Sequence, residues 1–332
     1  MTHTSARADP APAPPRRIHY GWQFLVATVL VFALLVVSLF TGVYTLGGHG
    51  EETVDMFWIT RVPRTLALIL AGAAMAICGL VMQLLTQNRF VEPTTTGTTE
   101  WAGLGLLFVM VMFPTATLLG KMAGAIVFAF IGTSVFFAFL RRVSMRSSLI
   151  VPIVGIMLGS VVSAVSTFFA LQTDMLQQLG VWFAGSFAPV ARGQYEVIWI
   201  VALVLVAVFV LADRLTVAGL GEDIATNVGL NYNRLMLIGT GLVAIATGVV
   251  TVVIGNLPFL GLIVPNIVSL FRGDNLRGNL PWVALLGVAT VTLCDLIGRT
   301  IIMPFEVPVS LVLGILGAIV FVALLLRKRR YG

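Results

Sequence analysis

Ten apolar runs of bilayer-crossing length follow one another along the 332 residues, and nothing between them is long enough to fold as a separate soluble unit. They lie at Trp22–Tyr44, Arg64–Leu85, Thr94–Phe113, Leu118–Leu140, Leu149–Leu171, Tyr195–Leu211, Leu235–Ile254, Leu257–Phe271, Pro281–Ile297 and Val307–Leu326. A membrane-spanning helix takes about 20 predominantly apolar residues, and a soluble surface needs roughly a quarter of its residues charged. Here only 10% are charged and the mean hydropathy is +1.03. The pattern predicts an all-α polytopic membrane protein of about ten transmembrane helices, with one transmembrane domain over residues 18–332. Residues 1–17 carry Pro10, Pro12, Pro14 and Pro15 ahead of Arg16 and Arg17. That is the composition of a disordered tail. The run from Trp22 is long enough to span and is read as a retained first helix rather than a signal peptide.

Basic residues set the expected orientation, because loops on the cytoplasmic side carry the excess of Lys and Arg. With ten spans and the N-terminus inside, fifteen of the twenty basic residues fall inside, and Arg61, Arg64, Lys121, Arg192 and Arg299 fall outside. Both termini are therefore expected in the cytoplasm, in a multi-pass protein of the cytoplasmic (inner) membrane. The net charge of +6 is spread over span ends rather than clustered, which argues against a nucleic-acid partner and leaves lipid as the surrounding medium. Cys78 and Cys294 lie within apolar runs, and His3, His19 and His49 have no ligand spacing, so neither a disulfide framework nor a metal site is expected.

No Walker-type glycine loop, nucleophile elbow or zinc-binding spacing occurs in the sequence. No catalytic residue and no cofactor is predicted, and uphill transport would draw on an ion gradient or on another subunit. A proton or sodium site needs ionisable groups near the midplane. Only Glu100 and Asp295 fall well inside spans. Each reads equally as a packing polar group or as part of a pathway. An ion-coupled carrier is thereby weakened but stays open.

The longest polar interruption of the second half is TVAGLGEDIATNVGLNYNR, residues 216–234. It contains Gly219, Gly221, the acids Glu222 and Asp223, and a short helical pattern ending at Gly229, and the charge count puts it in the cytoplasm. It is a shaped polar surface of the kind that another protein grips. Outside, Arg61 and Arg64 bracket Pro63, and Arg299 closes the ninth run. They either snorkel and pair locally, Arg299 with Asp295 one turn back, or offer guanidinium forks to an acidic partner. Glycines at helical spacing, among them Gly72, Gly79, Gly155, Gly159, Gly239, Gly241, Gly314 and Gly317, read as close helix packing. Prolines at Glu92–Pro93, Pro258, Pro265 and Glu306–Pro308 mark irregular helix ends. Residues 178–195, QLGVWFAGSFAPVARGQY, are either an interfacial aromatic belt or a short re-entrant helix at the outer mouth.

Six ordered blocks resemble the FecCD family of ABC importer permeases. They are RVPRTLALILAGAAMAICGLVMQLLTQN at 61–88, WFAGS at 182–186, GLGEDIATNVGLNYNR at 219–234, LPFLGLIVPNIVSLF at 257–271, DLIGRT at 295–300 and EVPVSLVLGILGA at 306–318. The resemblance implies a vitamin B12 permease-like fold with inverted-repeat halves, helices two to five and seven to ten. It implies two permease subunits around a pathway, a cytoplasmic ABC ATPase dimer below, and an extracytoplasmic siderophore-binding protein above. By the same resemblance, residues 216–234 are the coupling loop, with Gly219, Gly221, Glu222, Asp223 and Gly229 in the ATPase contact. Arg61, Arg64 and Arg299 receive acids of the binding protein. Trp182, Gly185 and Ser186, with Glu100, Pro265 and Asn266, belong to the gate and pathway. Asn266, where many members have His, and RFVEPTTTGTTEWAG at 89–103 resemble the branch handling petrobactin, anguibactin and enterobactin. That branch favours a heterodimer with a second permease. A haem or cobalamin permease of the same family is the alternative substrate reading.

Overall fold

The computed structural model describes residues 21–42, 56–142, 150–273 and 276–331. The predicted tail at 1–17 and the three histidines lie outside the described residues. Among those described there are twelve α-helices and no strand, only an isolated bridge between Ile302 and Phe305. The helices are α1 Trp22–Phe40, α2 Val62–Leu85 (continuing a π-helical turn, Phe57–Arg61), α3 Thr98–Met112, α4 Leu118–Leu140, α5 Ile150–Gln172 and α6 Leu176–Phe183. There follow α7 Trp199–Gly219, α8 Glu222–Asn227, α9 Tyr232–Val253, α10 Leu260–Arg272, α11 Leu276–Thr300 and α12 Val309–Tyr331. Among the described residues seven segments are long and apolar enough to cross a membrane, and α3, α10 and residues 309–323 of α12 supply three further apolar helical stretches, so each of the ten predicted runs contains a helix.

α2 is the axis. Its small residues Ala67, Ala71, Ala74 and Ala76 are fully buried, so helices close on it from all sides. It packs against α7, α9, α10 and α11. The two halves exchange partners reciprocally, α2 with α11 and α9 with α4, as inverted repeats related by a pseudo-twofold require. α1 and α5 stand at the edge with their large apolar side chains exposed.

Two boundaries differ from the sequence reading. α7 runs to Gly219, beyond the predicted Leu211: the helix continues past the apolar run, with Ala212, Leu215 and Ala218 buried on its inner face and Asp213 and Arg214 exposed. α11 starts at Leu276 and carries Pro281 in its second turn. The segment read as a possible aromatic belt instead turns inward. α6 is a short helix, Phe183 packs against Gly103, and Phe187 is buried. Cys78 and Cys294 are free, buried thiols.

Candidate functional site

Three places in this bundle gather polar chemistry, and the deepest lies where the two halves meet. α3 and α10 have 15 and 13 residues, about 22 and 20 Å of rise, so neither crosses a hydrocarbon core of about 30 Å alone. Each starts part-way across, after irregular backbone and a left-handed N-cap, Gly97 (φ 78°) for α3 and Phe259 (φ 63°) for α10. Irregular backbone at that depth must be answered by protein. Phe259 has no side-chain oxygen to cap its own helix, and the cap comes from the other half. The Glu92 carboxylate accepts the Phe259 N–H at 2.7 Å, the Leu262 N–H at 3.1 Å and the Thr94 hydroxyl at 2.5 Å. Pro265 has no N–H to give to the Gly261 carbonyl one turn back, and Gln83 Nε2 donates to it instead, at 3.1 Å. Asn266 Nδ2 donates to the Arg89 carbonyl at 2.8 Å and to the Leu262 carbonyl at 2.7 Å. Three side chains thus stitch residues 83–92 to α10, and a hydroxyl chain Thr96–Thr98–Thr133, at 2.9 and 2.8 Å, continues the network into α4.

Beside this crossing, α3, α5 and α6 border a cavity of about 700 Å³ lined by Glu100, Thr94, Ser160, Ser163, Thr167 and Phe183. Glu100 stands in the first turn of α3, where the helix dipole favours an anion. Its Oε2 accepts the Thr99 hydroxyl at 3.0 Å, and no cation among the described residues pairs with it.

At one end of the bundle, residues 182–186 are wedged between the end of α9 and the start of α12. Gly185 has φ 52°, its N–H neighbour Ser186 donates to the Ile254 carbonyl at 2.9 Å, and a Cβ at 185 would overlap the Asn256 carbonyl. Ser310 donates its N–H to Gly185 O at 3.2 Å and its hydroxyl to Ala184 O. At the same end lies a balanced cluster of two arginines and two acids. Arg64 reaches Asp295 at 2.7 Å and Glu306 at 2.9 Å. Arg299 Nη2 is 2.6 Å from Asp295 Oδ2, an ion contact rather than a well-directed hydrogen bond, and Arg299 also donates to the carbonyls of Ser38 (3.1 Å) and Thr41 (2.9 Å). Arg61 is half-buried, with Nη1 3.3 Å from the Leu39 carbonyl.

At the opposite end, α8 projects between two left-handed glycines, Gly221 (φ 113°) and Gly229 (φ 82°). Glu222 and Asp223 occupy its exposed first turn. Ile224 and Val228, one turn apart, form an exposed apolar stripe, Leu220 is exposed just before the helix, and only Ala225 of the helix is buried. Beneath it, Gly219 lies against Leu84, and Gly221 against Gln87.

A model of the FecCD transport family matches residues 24–327. The chain belongs to the FecCD transport family. It is 62% identical to the petrobactin import system permease protein FatD of Bacillus anthracis, over 92% of each chain. It is 39% identical to the ferric-anguibactin transport system permease protein FatD of Vibrio anguillarum, over 89% of this chain and 96% of that one. A solved structure described as an inward-facing ABC transporter of the metal-chelate type superposes with a TM-score of 0.79 at 24% identity, covering 93% of this chain and all of the other, a likeness of fold.

The sequence-predicted residues of this FecCD protein fall into separate groups. Arg64 and Arg299 come together, but both are engaged within the chain, and Arg299 is buried. Trp182, Gly185 and Ser186 sit near that end. Glu100 lines the large cavity, whereas Pro265 and Asn266 are buried in the stitch between the halves. Glu92 and Gln83 were missed. The signals were present, an acid placed before a proline between two spans, and Pro265 four residues after a glycine whose carbonyl it frees, but nothing in the sequence pairs Glu92 with Phe259 across 167 positions.

Proposed function

We propose that this FecCD protein is a translocation subunit of an ATP-driven ABC importer that carries a ferric siderophore across the cytoplasmic membrane. The relatives named for petrobactin and anguibactin support a siderophore as the substrate class. The observation that carries the reading is the exposed α8 handle on a chain whose sequence contains no nucleotide-binding motif. An apolar stripe flanked by acids and bracketed by two glycines is suited to a groove in a separate motor protein, here an ATPase dimer. In this reading both termini and α8 are cytoplasmic, and a second permease subunit, a different chain, completes the pathway.

The contacts outline a mechanism. Displacing α8 moves Leu84 and Gln87, which lie under its base, and the segment they begin reaches α10 through Glu92 and Asn266. A push at the handle is thereby carried to the mid-membrane crossing as a rigid shift of packed helices. The cavity beside Glu100 is the part of the subunit we assign to substrate passage, and residues 182–186 to its outer gate.

Ile224→Asp, with Glu222→Arg as a second variant, is expected to lower ATP-driven uptake in proteoliposomes by about tenfold or more, the equivalent of losing about 1.4 kcal/mol of contact. Normal uptake in both would remove α8 from the coupling. For the binding protein, we propose Arg61 and Arg64 as the receiving cations, with Arg299 holding Asp295 and the end of α1 beneath them. Arg61→Glu is expected to slow association of the loaded binding protein and to flatten its salt dependence, while helix content is unchanged. Arg64→Glu would set three acids together and is expected to destabilise this end of the bundle outright. Unaltered association kinetics for Arg61→Glu across salt concentrations would return that residue to a purely local role.

A further inference from the structure

A groove of about 480 Å³ runs between α1, α10 and α11 on the edge of the bundle, away from the large cavity and from α8. Its walls are apolar, with Ala27, Val31, Ile267, Leu285 and Ala289 among them, and its polar side chains are gathered at one end, Gln23 and Arg272. The distance along α1 from Gln23 to Val31 is about 12 Å of helix rise, a slot along the membrane normal rather than a pit. At the polar end the Arg272 guanidinium lies over the Trp282 ring, 4.9 Å from its centroid, and Phe24 meets the same ring edge-on at 5.1 Å. Stacking occupies a face of the guanidinium and leaves its in-plane N–H donors available. No carboxylate of the described residues pairs with Arg272, in contrast to Arg277, which is neutralised by Asp213. The Trp282 Nε1–H, in the same wall, is buried without an acceptor.

We propose that this groove is a binding site for one anionic phospholipid, with an acyl chain along α1 and the phosphate at Arg272. All three walls belong to helices read as membrane segments, so the slot opens to lipid. Lipid tails are as apolar as the walls, so burying a chain there supplies fit and little preference. Preference comes from the charge at the mouth. A Trp and an Arg together mark headgroup depth, and a basic pocket between helices at that depth selects anionic headgroups.

The full-length chain, purified in detergent, is titrated with phosphatidylglycerol and separately with phosphatidylcholine of the same chain length, and retained lipid is read by native mass spectrometry. Wild type is expected to retain phosphatidylglycerol about fivefold better, the worth of one cation near an anionic surface. Arg272→Gln is expected to remove that preference while leaving phosphatidylcholine retention as it was. Ala289→Trp, which fills the slot and keeps the cation, is expected to lower retention of both lipids at unchanged helix content. Equal retention of the two lipids by wild type overturns the proposal, as does an undiminished preference in Arg272→Gln. Undiminished retention in Ala289→Trp would likewise overturn it, and that variant keeps the test decisive if Arg272→Gln fails to fold.

Discussion

Glu92→Ala is expected to abolish transport and to lower the melting temperature of the purified chain markedly. The residue is only 1% exposed, and its two oxygens serve donors at the N-cap and the third residue of α10, the two positions that a capping box satisfies within one helix. Alanine would leave the Phe259 and Leu262 N–H groups unanswered where water does not reach them. Each buried donor left this way costs about 1–3 kcal/mol, and more within a bilayer. Glu92→Gln keeps one acceptor oxygen but turns an NH2 towards a donor, so it should fall between wild type and alanine. Thermal unfolding in detergent, together with uptake by the reconstituted importer, checks the order wild type, Gln, Ala. An alanine variant that melts with wild type would show that α10 does not depend on this cap.

Gly79→Ala should be nearly as damaging, although it adds one methyl group. A Cβ at Gly79 would overlap the backbone of Gly261, so α2 and α10 touch main chain to main chain at this point. The neighbour cannot yield by changing a rotamer, because the overlapping atoms are backbone. Parting the helices would also stretch the Gln83–Gly261 and Glu92–Leu262 hydrogen bonds. Overpacking of this kind costs about 1–3 kcal/mol before the bonds are counted. Gly241→Ala and Gly314→Ala are the matched controls. Nothing lies within 4 Å of a Cβ at either position, and both should melt within about 1 kcal/mol of wild type or slightly above it, since alanine favours helix. Loss at the controls equal to that at Gly79 would mean that the added methyl group is harmful even where space is open, and that the close approach to Gly261 does not set the effect.

These glycines show where reading the sequence stops. Spacing alone marks Gly79, Gly241 and Gly314 alike as packing residues, yet one is locked against another backbone and two face open space. The arginines divide in a similar way. The i, i+4 spacing of Asp295 and Arg299 made their pairing legible, but Arg64 joins them from 231 positions away, and Ser38 and Thr41 complete the set from a different helix. The handle at α8 was legible as a polar interruption with a helical pattern, and the structure added its exposed stripe and the contact of its base with Leu84 and Gln87.

What the sequence by itself determined is everything that follows from local composition. A bilayer demands about 20 apolar residues per span, so the ten membrane helices and their order could be counted directly. The blocks at 61–88, 219–234 and 257–271 likewise carried the family. Only the tertiary structure decided which polar groups meet inside the membrane. In a medium without water each freed N–H or carbonyl must find a partner in the protein. That partner is set by where the helices cross, not by its distance along the chain, which is how Glu92 comes to cap a helix of the opposite half.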